Sequence, residues 1–208
     1  MNFRVHSSPS DISLFNWRFF LKKSKTANFF HTPEAFEFYK NSKVGEPFFF
    51  AVTEHDSLVG LFVGLIFAES GLKSSFSRRA ICFGGPVLDD SIEESALHLL
   101  LETALHILQE KSIYIEIRNF NDYSNYKNKF LANGFEYHAH LNFHVDCSNR
   151  ESMEKRISSS KMRQIRKSFN EGAEIIEADS INQVRSFYCI LKELYEAKVK
   201  TPIFPEDF

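Results

Sequence analysis

Cysteine is scarce in this 208-residue chain: Cys82, Cys147 and Cys189 are odd in number and far apart. No C-x-x-C pair and no Cys/His cluster occurs, so neither a disulfide framework nor a zinc site is indicated, and a reducing compartment is the simple reading. A secretory signal is also missing, because the opening "MNFRVHSSPSDISLF" has no apolar core. The longest apolar run, "LVGLFVGLIFA" at 58–68, is 11 residues and too short to span a bilayer. On these absences the expectation is a soluble, cytoplasmic protein without a transmembrane segment. Neither G-x-x-x-x-G-K nor G-x-G-x-x-G is found, so no nucleotide phosphate loop announces itself.

What the chain does have is phenylalanine, 23 of 208 residues, the weight of a wide core or of a surface that lacks its partner. Charge is balanced overall, at −2, but not locally. Residues 150–172 hold seven basic side chains against three acidic ones, which makes that stretch +4 and the remainder −6.

The periodicity predicts alternating strands and helices. "NFRVHS" opens as a short strand, and "SDISLFNWRFFLKKS" (10–24) follows as a serine-capped helix with Ile12, Phe15, Phe19 and Phe20 at helical spacing. Thr32 and Pro33 start a second helix as cap and first residue. "EPFFFAVTEHDSLVGLFVGLIFAES" (46–70) reads as a hairpin whose nearly continuous apolar arms belong in a sheet covered on both faces. "RRAICFGGPVL" is a third strand, ended by Gly84-Gly85-Pro86. Residues 91–111 form a helix with Ser91 and Glu94 as a capping box and a stripe of Leu97, Leu100, Leu101, Ala104, Leu105 and Leu108. "SIYIEIRN" (112–119) alternates as a strand, and a short helix follows, stopped by Gly134. Two further strands are expected at 135–147 and 173–178, then a helix from Ser180 with Gln183 completing its capping box. The ending "TPIFPEDF" resembles the Thr-Pro opening of another helix. The order favours an α/β layer with a mixed sheet.

Candidate functional residues fall in four places. On a helix spanning "RISSSKMRQIRKSFNEG" (156–172), Met162, Ile165 and Phe169 share one arc and would pack inward. Arg163, Arg166 and Lys167 lie on the neighbouring face, where they could hold phosphates of a nucleotide-linked substrate or of RNA, or simply be solvated. "FGGPVLDDSIEES" (83–95) is a strand, glycine turn and helix, but Asp89, Asp90, Glu93 and Glu94 occupy the helix start where an anion would sit. "EIRNFND" (116–122) sets Glu116, Arg118, Asn119 and Asp122 at a strand end. They either line a cleft or form an Arg118–Glu116 pair on a solvated edge. His138, His140 and His144 alternate without a partner carboxylate at ligand spacing, so no metal is expected. No nucleophilic triad can be argued.

Taken in order, "NFFHTPEAFEFYK", "GGPVL", "IYIEIRNF", "NGFEYHAHLNFHVDCS" and "SSKMRQIRKSFNEGAEI" resemble the Fem family of aminoacyltransferases (FemAB/FemX type), over most of residues 28–200. The most specific piece is the basic helix "IRKSFNEG" running into "AEI", which in that family marks the passage between subdomains. The resemblance implies a GNAT-like (acyl-CoA N-acyltransferase-like) mixed sheet flanked by helices over 1–150. A connecting basic helix and the beginning of a second GNAT-like subdomain would then occupy 151–208, a truncated pair inactive by itself. It implies transfer of an amino acid from aminoacyl-tRNA to a nucleotide- or lipid-linked peptidoglycan precursor, with no metal, no coenzyme A and no DNA partner. Substrate contacts would come from Lys40, Arg118, Asn119, Asp122, Arg163, Arg166 and Lys167, with no catalytic residue assigned. Two departures stand out: Phe36 replaces the family's tryptophan, and its nearby lysine falls at Phe38 or Lys40. A GNAT N-acyltransferase using acyl-CoA is the alternative, against which the missing R-x-x-G-x-G/A loop and the acidic helix start count. A non-catalytic module for RNA, glycan or cell-wall precursor is a third.

Overall fold

A computed structural model describes residues 3–42, 44–67, 77–199, 203 and 206. The chain divides into two compact units, Met1–His140 and Leu141–Glu206. The end of the expected hairpin at 68–70 and the Thr201-Pro202 helix opening lie outside the described residues.

The first unit is built on one mixed sheet. Strands β1 (Phe3–His6), β2 (Gly45–Glu54), β3 (Ser57–Phe67), β4 (Arg79–Gly84) and β6 (Tyr114–Asn119) lie side by side in that order, and β5 (Val87–Leu88) also pairs with β3. All neighbours are antiparallel except β4 and β6, which run parallel from Arg79↔Tyr114 to Gly84↔Asn119. The β2–β3 hairpin turns through His55 and Asp56, both at positive φ (46° and 67°), a pair of left-handed residues that matches the twist of the flanking strands. Because β4 and β5 share β3 as partner, Gly84-Gly85-Pro86 is a break within one strand path rather than its end.

Both sheet faces are covered, as the apolar arms require. Helix α3 (Glu94–Leu108) buries Ala96, Leu97, Leu100, Leu101, Ala104 and Leu108 against Phe48, Phe50, Phe62, Ile66 and Cys82. On the other face α1 (Leu14–Lys23) and α2 (Pro33–Asn41) bring Trp17, Phe20 and Phe36 onto Phe49, Ala51, Leu61 and Val63. Thr32 caps α2 through its hydroxyl, which accepts from Ala35 N, with Pro33 at the first helical position. Gly134, at φ 83°, follows the short helix α4 (Lys127–Ala132).

Several expectations are corrected. Helix α1 starts at Leu14 with Ser13 as cap, and its Phe15 and Phe19 face solvent while Trp17 and Phe20 go inward. The 91–111 helix is shorter, and the Ser91–Glu94 capping box does not form: Asp89 Oδ1 accepts from both the backbone N–H and the hydroxyl of Ser91, so Glu93 becomes the cap. Leu105 is half-buried at the edge of the stripe. Residues 135–147 and 173–178 form no strand. Alternation can name a face, but a strand needs a partner ladder, and without one Leu141 and Phe143 stand 89% exposed and Ile175 88%.

The second unit contains helices α5 (Arg150–Arg156), α6 (Ser159–Asn170) and α7 (Ile181–Leu194). The Ser158 and Ser180 hydroxyls cap α6 and α7. Gln183 reaches back to the Asp179 N–H rather than to that of Ser180, so the expected box is closed one residue early. On α6, Met162 and Ile165 are half-buried, while Phe169 remains 52% exposed instead of packing inward.

Candidate functional site

The carboxyl ends of parallel strands are where open α/β sheets place ligands. In this chain that location is the end of β4 and β6, where the Gly84-Gly85-Pro86 break meets Asn119. Gly84 and Gly85 have φ of 89° and 80°, a region L side chains rarely adopt. A side chain at Gly84 would also collide with the Asn28 amide, and one at Gly85 with the Asn119 carboxamide. The glycines therefore let the strand break close against two asparagine side chains.

His31 locks this turn. It is fully buried, its Nδ1 accepts from the Asn28 N–H at 3.0 Å, and its Nε2 lies 2.8 Å from the Gly85 carbonyl oxygen. An N–H donor on one nitrogen and a carbonyl on the other fix the neutral tautomer with the proton on Nε2. Burial lowers its pKa to about 4, partly offset by the Gly85 bond. Its own carbonyl takes the Trp17 indole N–H at 2.8 Å. Tyr123 closes the other side by donating to the Pro86 carbonyl at 2.6 Å, and burial pushes its hydroxyl up to about 12. The Asn28 Nδ2 is buried without a hydrogen-bond partner, a donor left pointing into this cluster. Cys82, on β4 just before the turn, is fully buried with its thiol pushed up by desolvation, which makes it an inert core residue.

Asn119 is the one sequence-named residue that the fold brings to this cluster. Arg118 makes a two-point pair with Glu116 (Nε to Oε1 2.7 Å, a second guanidinium nitrogen to Oε2 3.1 Å), with its guanidinium carbon 5.4 Å from the Phe83 ring centre. Asp122 accepts from the Ser124 N–H at 2.8 Å, which holds its carboxyl below the usual range. Lys40 sits in the last turn of α2, exposed and 3.8 Å from Glu37. Arg163, Arg166 and Lys167 lie on α6 in the second unit, all exposed, with Lys167 paired to Glu171. His138, His140 and His144 are exposed, and among the described residues no cluster of His, Cys, Asp or Glu could hold a metal. Sequence reasoning passed over His31, Asn28 and Tyr123. Only the fold shows that "NFFH" folds back on itself so that Asn28 and His31 cap each other.

The start of α3 carries four carboxylates, Asp89, Asp90, Glu93 and Glu94. Asp89 is held ionised by its bonds to Ser91, Asp90 lies 3.4 Å from Lys25, and Glu94 lies 4.0 Å from Lys129. The partial positive charge of the helix end is thus already opposed by four carboxylates.

No family model matches this chain, and no curated protein matches it. Solved structures do. A transcriptional regulator from Bacillus halodurans C-125 is 15% identical, with 69% of this chain and 99% of that one covered, at a TM-score of 0.50. The aminoglycoside N-acetyltransferase AAC(6')-Iy, in complex with CoA, is 12% identical over 70% of this chain and 95% of its own, also at 0.50. The same enzyme with a bisubstrate analogue gives 0.50 with 99% of its chain covered. Such a likeness establishes architecture: the chain has the mixed α/β sheet, flanked by helices, of GNAT-fold acetyltransferases. It does not extend to the Fem family in particular, nor to a second GNAT-like subdomain.

Proposed function

We propose that the chain works as an N-acyltransferase, forming an amide between an activated acyl group and a primary amine. The observation that carries this is the sheet itself. Among the described residues its one parallel pair is β4 and β6, and β4 ends at a glycine break beside the Asn119 end of β6, in a fold shared with an aminoglycoside N-acetyltransferase. In such chemistry the amine attacks the donor carbonyl, the donor's thiol or hydroxyl leaves, and the amine proton passes to a base or solvent. His31 and Tyr123 are both committed to backbone carbonyls, so they position the turn and do not act as that base.

Coenzyme A is the donor that the neighbour's complex suggests. The residues here fit it poorly at the helix start, where Asp89, Asp90, Glu93 and Glu94 would face its diphosphate. That misfit favours a second reading, transfer from an aminoacyl ester of tRNA as the Fem resemblance implies. The exposed cations Arg163 and Arg166 would meet phosphates in that case. The deciding experiment offers the chain acetyl-CoA or aminoacyl-tRNA with a panel of amines and follows amide formation by mass spectrometry. Product from neither donor would refute acyl transfer.

A further inference from the structure

We infer that the outward face of α1 docks on an anionic lipid bilayer, with Leu14, Phe15 and Phe19 entering the interface and Lys22 and Lys23 meeting the headgroups. The inner face of α1 is fully employed, since Trp17 and Phe20 are core residues. At 100° per residue, Phe15, Phe19 and Lys22 fall on the opposite side. That side should be polar on an ordinary surface helix. Instead Phe15 is 75% exposed, Leu14 58% and Phe19 48%, and the two phenyl rings stack at 5.9 Å between centres and 9° between planes. Phe29, 57% exposed, adds a further ring at the nearby 3-10 turn before α2.

The charge around this crest has one sign within the helix: Leu14–Lys23 contains Arg18, Lys22 and Lys23 and no acidic residue. Three carboxylates lie on other elements. Glu34 holds Arg18, Asp90 holds Lys25, and Asp89 feels the charge of Lys23. Among the described residues Lys22 and Lys23 have no ion pair, and Lys23 lies 4.1 Å over the Phe19 ring. Protruding apolar rings beside unpaired lysines are the combination that binds an anionic membrane surface, because burial and headgroup attraction then act together. A nucleobase-stacking platform needs open ring faces, whereas Phe19 is already engaged by Phe15 and by the Lys23 ammonium. The attachment is peripheral: among the described residues no helix is long and apolar enough to cross a membrane.

The test is flotation of the whole chain with vesicles of phosphatidylcholine, with and without phosphatidylglycerol. Binding is expected only with phosphatidylglycerol. Phe15→Ser with Phe19→Ser should weaken it about tenfold or more, and Lys22→Glu with Lys23→Glu should abolish the low-salt component. Circular dichroism and thermal melting confirm folding, and the lysine variant alone decides the matter if the phenylalanine variant does not fold. Three results would overturn the inference. They are no retention by phosphatidylglycerol vesicles, loss on changing Arg163, Arg166 and Lys167 but not the α1 residues, or loss of single-stranded RNA binding in the α1 variants with vesicle binding intact.

Discussion

His31 donates from Nε2 to the carbonyl oxygen of Gly85 at 2.8 Å, a bond that spans 54 residues of sequence and ties the start of α2 to the break between β4 and β5. Both partners are buried, so the bond is made in a low dielectric, and losing either side would strand the other. It is the fastening on which the candidate site depends.

This fastening predicts an acid transition. His31 has its pKa lowered from 6.5 to about 4 by burial, so the unfolded chain takes up the proton first as pH falls. Stability is therefore full above about pH 6.5, falls through the window down to about 4, and loses no more from this group below that. The size is about 3 kcal/mol at most, from the separation of the two values. Urea unfolding at a series of pH values should show the slope in the parent chain and a much flatter profile in His31→Gln. An equal slope in both would assign the acid sensitivity elsewhere.

Leu101 is fully buried between α3 and the sheet, in the cluster that includes Phe50 and Phe62. Leu101→Ala should cost about 2–5 kcal/mol, the transfer term plus an unfilled cavity. Half-buried Leu105 should cost less when changed to Ala, because part of its surface stays in water in either state. Chemical denaturation of the two variants gives the comparison, and equal losses would contradict the packing described.

Legibility followed the range of the interactions. The β2–β3 hairpin could be read because its apolar arms and the His55-Asp56 turn are local signals, and so could the Thr32-Pro33 start of α2. The burial of Leu97 and Leu101 followed from helical period alone. Where two local options competed, the sequence did not arbitrate: Asp89 took the Ser91 hydroxyl, and Trp17 rather than Phe15 and Phe19 filled the core. Residues 135–147 have a strand's pattern but no ladder, which no pattern can supply. Of the candidate site, Asn119 and the glycine turn were visible. The roles of His31 and Tyr123 were not, because each rests on a bond to a backbone carbonyl far along the chain.

The carboxylates at the start of α3 give a binding prediction. Asp89, Asp90, Glu93 and Glu94 sit within the first turn or just before it, and a coenzyme A diphosphate placed there would meet repulsion instead of the usual helix-end attraction. Calorimetry with acetyl-CoA should show no binding that depends on residues 84–90. Micromolar binding abolished by substitutions in that stretch would place the diphosphate at the turn after all.

The basic flank of α6 should matter for binding and little for folding. Arg163, Arg166 and Lys167 are exposed, and the one ion pair among them, Lys167 to Glu171 at 3.6 Å, is a surface pair of small worth. Changing all three to alanine should move stability by no more than about 0.5 kcal/mol, as for ordinary surface positions. If they contact phosphates of tRNA or of a nucleotide-linked precursor, the triple variant should bind that ligand more weakly. The deficit should shrink as salt rises, because each lost contact is one fewer set of released counterions. Titration of the parent chain and the variant at two ionic strengths reads both effects. Unchanged binding at both would leave α6 as a solvated amphipathic helix on which Met162 and Ile165 are half-buried.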